Sequence, residues 1–238
     1  MRGPEGNAFP AGRRAVQRVL TGDGSHTLRV PDLDETYHAP AGALAEARHV
    51  YVGEGLDFYR QETGRDPIRL LEVGFGTGLN ALLSLDSARR HGAGLHYVAL
   101  EPHPLPAAAC TGLNYCALAG LPGLEPHFER MHRCAWEEPC SLDPSFVLQK
   151  HRARLQDFGG EAPFDLVYFD AFAPEKQPEL WEPAQLERVV GMMAAGAALV
   201  SYCAQGRFKR ALRALGLEVK RRPGPAGGKF HMVRARKS

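Results

Sequence analysis

The sequence predicts an α/β fold, a doubly wound and largely parallel sheet covered by helices. Three observations predict it. From Pro67 onward, apolar runs of strand length alternate with stretches of helical spacing. The first such strand, Ile68–Val73, runs into glycines at every second position, Gly74-Phe75-Gly76-Thr77-Gly78, and an apolar helical stretch follows. Acids stand at the ends of three predicted strands, Glu72, Glu101 and Asp170, and sheets of this kind bind ligands at the carboxyl ends of their strands.

Taken in chain order, 16–20 and 27–30 read as a β-hairpin around Thr21-Gly22-Asp23-Gly24-Ser25. Residues 42–60 carry Leu44, Ala47, Val50 and Leu56 at helical spacing with a glycine interruption. These two pieces form a small hairpin and helix appendage to the main sheet. Strand Ile68–Val73 then leads to a helix over 77–91, and strand Leu95–Leu100 to a helix over 106–119. A weaker strand is expected near 127–130, and 146–158 fits either a hairpin or a short helix. A clear strand at 165–170 precedes a proline-rich loop and a helix over 183–193. A strand at 197–203 leads to a helix over 207–215. Strands 217–221 and 229–235 close the chain. The loop joining them, 223–228, is too short for a crossover helix, so the two run antiparallel.

At 238 residues and 44% hydrophobic, the chain is long enough for one domain with a full core. No apolar run approaches the ~18 residues of a membrane-spanning helix. Residues 1–14 lack the apolar centre of a signal peptide and read as a flexible extension. A cytoplasmic protein with no membrane partner is therefore expected. Cys110, Cys116, Cys134, Cys140 and Cys203 include no Cys-x-x-Cys pair, which favours reduced thiols. Cys134, Cys140 and His132 match no standard zinc spacing, and no metal is expected. The net charge of +2 hides an asymmetry, because Gln205 to Ser238 holds eleven Lys/Arg against one acid, Glu218. Such a basic end points to a polyanion, with nucleic acid in first place.

The chemistry centres on the glycine loop. Glycines there allow a sharp turn and a close approach of backbone to ligand, and the following helix offers free N–H groups. The spacing departs from the dinucleotide fingerprint, and Glu72 beside the loop would repel a pyrophosphate. A carboxylate there suits a positively charged cofactor, such as the amine and sulfonium of S-adenosylmethionine. The expected cofactor contacts are Glu72, Gly74, Phe75, Gly76, Thr77, Gly78, Asn80, Glu101 and Asp170. Glu101 stands where a carboxylate can accept both ribose hydroxyls. Trp136 and Glu137 are candidates for the adenine. The stretch from Asp170 to Trp181, an acid followed by a small residue, an aromatic and a proline, reads as a rigid lip over the crevice. Asp170 could accept a hydrogen bond or proton from an amine nucleophile. Three rivals stand beside this reading. A nicotinamide-dependent dehydrogenase conflicts with Glu72 and with the glycine spacing. A small-amine methyl- or aminopropyl transferase leaves the basic end unused. A non-catalytic RNA-binding module leaves Glu72, Glu101 and Asp170 without a role.

Specific motifs sharpen the reading. Asp23-Gly24-Ser25-His26-Thr27-Leu28, Glu35-Thr36-Tyr37-His38, the glycine loop with Leu79-Asn80, the stretch Asp170 to Trp181, and Gly206-Arg207-Phe208-Lys209-Arg210 together resemble the tRNA 5-methylaminomethyl-2-thiouridine methyltransferases, the MnmC-like family, in single-domain form. The resemblance covers about 16–236. It implies a class I S-adenosylmethionine-dependent methyltransferase fold, Rossmann-like with the last strand antiparallel. The divisions are then 1–14 as the extension, 15–66 as an accessory element, and 67–238 as the methyltransferase domain. The implied activity converts the 5-aminomethyl group of a tRNA wobble uridine to 5-methylaminomethyl, with Asp170 catalytic. Phe172, Lys176, Tyr202, Lys209, Arg210, Arg221, Arg222 and Lys229 are the expected substrate and tRNA contacts, reaching the anticodon loop. The final loop departs from the family pattern: Phe230-His231 stands where relatives carry Arg-Glu. With no second glycine fingerprint in the chain, no flavin is expected.

Overall fold

The computed structural model describes residues 15–160 and 163–238, so the expected extension 1–14 lies outside the described residues. The hairpin forms as β1 (Gln17–Leu20) and β2 (His26–Val30), and β3 (Glu35–Thr36) adds a third antiparallel strand. Asp23 organises its loop. The carboxylate accepts hydrogen bonds from Thr21 Oγ1 (2.8 Å) and the Ser25 amide (3.0 Å). It also accepts one from the Ala45 amide (2.9 Å), which ties the hairpin to the helix that follows.

That helix is continuous over 43–63: α1 (Ala43–Glu46), a π-helical stretch Ala47–Asp57, and α2 (Phe58–Thr63). The glycine interruption marks a close approach. A Cβ on Gly55 would lie 3.0 Å from Val200 Cγ2 and 3.1 Å from Tyr168 Cε1, so a side chain here would crowd the sheet. Glu54, one residue earlier, receives Arg234 (2.7 Å) and Arg222 (3.0 Å) from the far edge of the sheet. The Arg234 side chain is only 10% exposed. Glu54→Ala is therefore expected to lower unfolding stability by about 3 kcal/mol, because it leaves a buried guanidinium without a counter-charge. Chemical denaturation measures this.

The strands β4 (Ile68–Val73), β5 (Leu95–Leu100), β6 (Pro139–Asp143), β7 (Phe146–His151), β8 (Phe164–Phe169), β9 (Met193–Ser201), β10 (Leu217–Pro223) and β11 (His231–Lys237) form one sheet, in the order β10-β11-β9-β8-β4-β5-β7-β6. The five central strands are parallel. β11 runs antiparallel to both β9 and β10, and β6 runs antiparallel to β7. The helices are α3 (Leu79–His91), α4 (Ala107–Cys110), α5 (Tyr115–Ala119), α6 (Glu125–Arg133), α7 (Pro183–Met192) and α8 (Gly206–Ala214). Side chains of the central strands alternate between two cores, which is why these strands read as largely apolar runs. Leu70, Tyr97, Tyr168 and Val200 pack with 43–63 and α3, whereas Leu71, Val98, Val167, Phe169 and Leu199 pack with α7 and α8.

Three local expectations need correction. Residues 127–130 belong to α6, not to a strand: Leu124, Phe128 and Met131 recur at helical spacing and are all buried. The single helix expected over 106–119 is two short ones, α4 and α5, with Gly112 at φ +74° between them. Within 146–158 only Phe146–His151 is a strand. It pairs with β6, whose mixed edge sequence Pro139-Cys140-Ser141 carries no strand signal.

Candidate active site

The glycine loop connects β4 to α3, and its conformation strongly favours glycine. Gly74, Gly76 and Gly78 have φ of +99°, +49° and +74°. Space is equally restrictive. A Cβ on Gly74 would lie 2.5 Å from the Asp170 carbonyl oxygen, and one on Gly76 would lie 2.8 Å from the Tyr37 ring. The Gly74 and Phe75 amides both donate to the Leu100 carbonyl (3.0 and 3.2 Å), which pins the turn to the end of β5.

Strand alternation aims Glu72 toward α3, and Asp170 follows the last residue of β8. Asn80, in the first turn of α3, sits between them. Its Nδ2 donates to Glu72 Oε1 (2.9 Å) and to Asp170 Oδ2 (2.8 Å). The second Asp170 oxygen accepts a hydrogen bond from Tyr51 Oη at 2.5 Å, from the helix that covers this face of the sheet. Burial raises the Asp170 carboxyl to about 7, against the lowering effect of the Tyr51 and Asn80 hydrogen bonds. Burial, and then the Asp170 charge, raises Glu72 well above the carboxylate range. Burial also raises Glu46, which projects from α1.

A cavity of about 460 Å³ opens at the carboxyl ends of β4, β5 and β8, within the range of roughly 300–1,000 Å³ usual for small-molecule sites. Gly74, Phe75, Gly76, Thr77, Asn80, Glu101, Asp170, Phe172, Tyr202 and Lys229 all line it. Glu72 lies beneath, 1% exposed, reaching the site through Asn80. Gly78 sits behind the loop, against Phe75 and His132. Glu101 accepts hydrogen bonds from the Gly76 amide (3.1 Å) and the His103 amide (2.9 Å), so it braces the glycine loop from the end of β5. Trp136 and Glu137 do not line the cavity. Trp136 lies under the Lys150 ammonium, 4.6 Å from ring centre, and Glu137 pairs with His151 at 2.7 Å. The loop after β7, through Ala153, Leu155 and Gln156, forms that wall instead. Trp181 is core: its indole donates to the Phe172 carbonyl (2.9 Å), holding the lip in place.

The basic residues divide. Lys176 donates to the Leu33 carbonyl (2.9 Å), joining the lip to the N-terminal sheet. Lys209 and Arg210 lie on α8, Arg210 fully on the surface. Arg221 and Arg222 are neighbours on β10 and so point to opposite faces. Arg221 is exposed, while Arg222 is bound to Glu54. Arg221→Ala is accordingly expected to weaken binding of a polyanion more than Arg222→Ala, with a shallower salt dependence. Filter binding of RNA over a salt series measures both.

The residues to which sequence reasoning gave no role in the site come from the N-terminal element: Tyr37 and His38, quoted above only as part of a motif, with Glu46 and Tyr51. His38 bridges Thr27 (3.0 Å) to Thr77 in the glycine loop (3.4 Å), and burial holds its imidazole down at about 4, hence neutral. Tyr51 carried one signal, a hydroxyl within the buried stripe of a helix, since such a group needs a partner.

The donor set suits a cationic ligand. Asn80 Oδ1 is a buried acceptor without a partner, and Glu35, Glu46, Glu101, Asp170 and Glu179 line the cavity around it. Comparison with known proteins agrees. A family described as S-adenosyl-L-methionine-dependent methyltransferase matches residues 129–238. Residues 129–238 thus form part of a domain of this S-adenosyl-L-methionine-dependent methyltransferase family. Over 240 residues the methyltransferase is 32% identical to the tRNA 5-methylaminomethyl-2-thiouridine biosynthesis bifunctional protein MnmC of Cupriavidus necator, a match covering 94% of this chain and 35% of that protein. The protein of the same name from Ralstonia nicotianae is 33% identical over 207 residues, covering 80% and 30%. The methyltransferase thus spans about a third of the length of these relatives. The crystal structure of MnmC2 from Aquifex aeolicus superposes with a TM-score of 0.73 at 22% identity, covering 94% of this chain and 71% of that one, and so shares the fold. No helix among the described residues is long and apolar enough to cross a membrane.

Proposed function

We propose that this methyltransferase methylates the amine of a 5-aminomethyl group on the wobble uridine of tRNA, with Asp170 as the catalytic residue. One observation carries the reading: Asp170 is held at both oxygens, by Tyr51 and Asn80, in the wall of an acidic cavity beside the glycine loop. In this reading 15–66 is an accessory element that supplies Tyr37, Glu46 and Tyr51 to the methyltransferase domain 67–238. The names of the bifunctional relatives support tRNA as the substrate, as does the basic C-terminal end.

The bare glycine-loop surface, Asn80 and Glu101 would hold S-adenosylmethionine, which when bound supplies an activated methyl group. The protein's own work is alignment and proton handling. An ammonium has no lone pair, so the substrate amine must give up a proton before it attacks. Asp170, fixed at both oxygens, orients the amine and takes that proton. Phe172, whose ring lies 5.1 Å from that of Tyr37, supplies a flat surface at the mouth for a base turned out of the single-stranded anticodon loop. Arg221, Lys209 and Arg210 meet the backbone phosphates.

Since only ionised Asp170 accepts a proton, kcat/KM is expected to rise with pH through about 7. A positively charged cofactor beside the carboxylate lowers that value, so the kcat profile at saturating cofactor turns over at lower pH. A kcat/KM that falls as pH rises through that window would contradict the role. The deciding experiment incubates the protein with labelled S-adenosylmethionine and tRNA lacking the modification, then analyses the nucleosides. Label in 5-methylaminomethyluridine supports the reading. Label in added polyamines but none in tRNA would replace it with a small-amine transferase.

A further inference from the structure

The β10–β11 loop places one cation inside the acidic cavity. Lys229 lines it, and its Nζ lies 3.7 Å from the centre of the Tyr202 ring. The placement is built into the turn. The Gly224 amide donates to the Phe230 carbonyl (3.0 Å), and a Cβ on Gly224 would meet the Lys229 carbonyl oxygen, so a bare backbone is needed for the loop to close in this way. The Tyr202 ring is fixed in turn by its hydroxyl, which donates to the Ala171 carbonyl (2.8 Å). Facing the same space is Glu46, 6% exposed, which accepts a long hydrogen bond from the Ala39 amide (3.3 Å). The Lys229 charge acts on both Glu46 and Asp170. Asn80 adds a buried carbonyl oxygen without a partner in the cavity wall. A ring face, two carboxylates and an unpaired amide oxygen are what an alkylammonium group needs in order to leave water.

We propose that the Tyr202 ring and the Glu46 carboxylate, next to Asp170, form the recognition subsite for the substrate's ammonium, and that Lys229 occupies this subsite until the substrate displaces it. The inference rests on the amine-methylation reading and deepens it. Glu46 and Tyr202 select an acceptor carrying a positive charge, and Asp170 then takes the proton. Lys229 is an internal surrogate: it neutralises a pocket that would otherwise bury uncompensated acids, and it competes with the incoming amine. Its neighbour Phe230 is 90% exposed, so the outer side of the loop is open to contact the RNA as Lys229 leaves.

The test uses the full chain with benzylammonium as probe and benzyl alcohol as its neutral counterpart, with binding followed by calorimetry. Wild type is expected to bind the ammonium and not the alcohol. Lys229→Met should tighten the ammonium several-fold by removing its competitor. Glu46→Gln, which keeps the oxygen facing the Ala39 amide, should weaken it about tenfold. With tRNA bearing 5-aminomethyluridine, Glu46→Gln should raise KM about tenfold while kcat stays within a few-fold. Unchanged probe binding in both variants, or a kcat loss at constant KM, would overturn the subsite. The two readings separate cleanly. If wild type methylates tRNA but the probe ignores both variants, the subsite alone falls. If the probe behaves as stated but tRNA takes no methyl, the tRNA substrate alone falls.

Discussion

Asp170→Ala is expected to lower methyl transfer by about 10²–10⁴-fold while cofactor affinity stays within a few-fold. Two features separate these quantities. The glycine loop is set by its own dihedrals and by the Leu100 carbonyl, neither of which needs the Asp170 side chain. The amine, by contrast, has Asp170 as its proton acceptor, a carboxylate poised near 7 and oriented by Tyr51 and Asn80. Single-turnover transfer to tRNA measures the first quantity, and equilibrium binding of the cofactor the second. Full activity in the variant would remove Asp170 from the chemistry. A companion measurement uses Asp170→Asn. The carboxyl is raised in the fold, so between about 4 and 7 the native state binds more protons than the unfolded chain, and stability falls as pH rises through that window. Removing the charge should therefore raise the melting temperature at pH 8 and leave it nearly unchanged at pH 4. Equal shifts at both values would place the cause elsewhere.

Gly74→Ala is expected to cost about 2–4 kcal/mol of stability. The added carbon would lie 2.5 Å from the Asp170 carbonyl oxygen at a φ of +99°, and a backbone neighbour cannot rotate away as a side chain does. The overlap can be relieved only by moving the loop or the end of β8, and either displaces Asp170 relative to the cofactor site. Activity should fall together with stability. Gly92→Ala is the control. It too has a positive φ, +59° at the end of α3, but an added Cβ meets nothing within 4 Å, so about 1 kcal/mol is lost and activity persists. Thermal unfolding of the two variants side by side, with methyl transfer assayed on each, decides the matter. Equal losses would show that dihedral strain, and not contact with Asp170, governs the loop.

The sequence by itself determined the parallel core and the floor of the site. Ile68–Val73 and Leu95–Leu100 appear at their expected bounds because strands buried on both faces are short apolar runs, a signal held within six residues. Spacing alone likewise announced the glycine loop, since Gly74, Gly76 and Gly78 each solve a local backbone problem. A strand at 127–130 runs against the local period, for Leu124, Phe128 and Met131 mark a helix in the same letters. Edge strand β6 left no trace, because one covered face and a proline dilute its pattern. Only the tertiary structure decided the walls. Tyr51 meets Asp170 across 119 residues of chain, and Lys229 reaches Tyr202 by a turn whose sequence says nothing of where it points. Glu54 claims Arg222 from 168 residues away and so splits a basic pair that reads as uniform. Short-range sterics and periodicity are written in neighbouring residues. Which charge faces which depends on the chain's path through space, and that path is set by burial of the whole core at once.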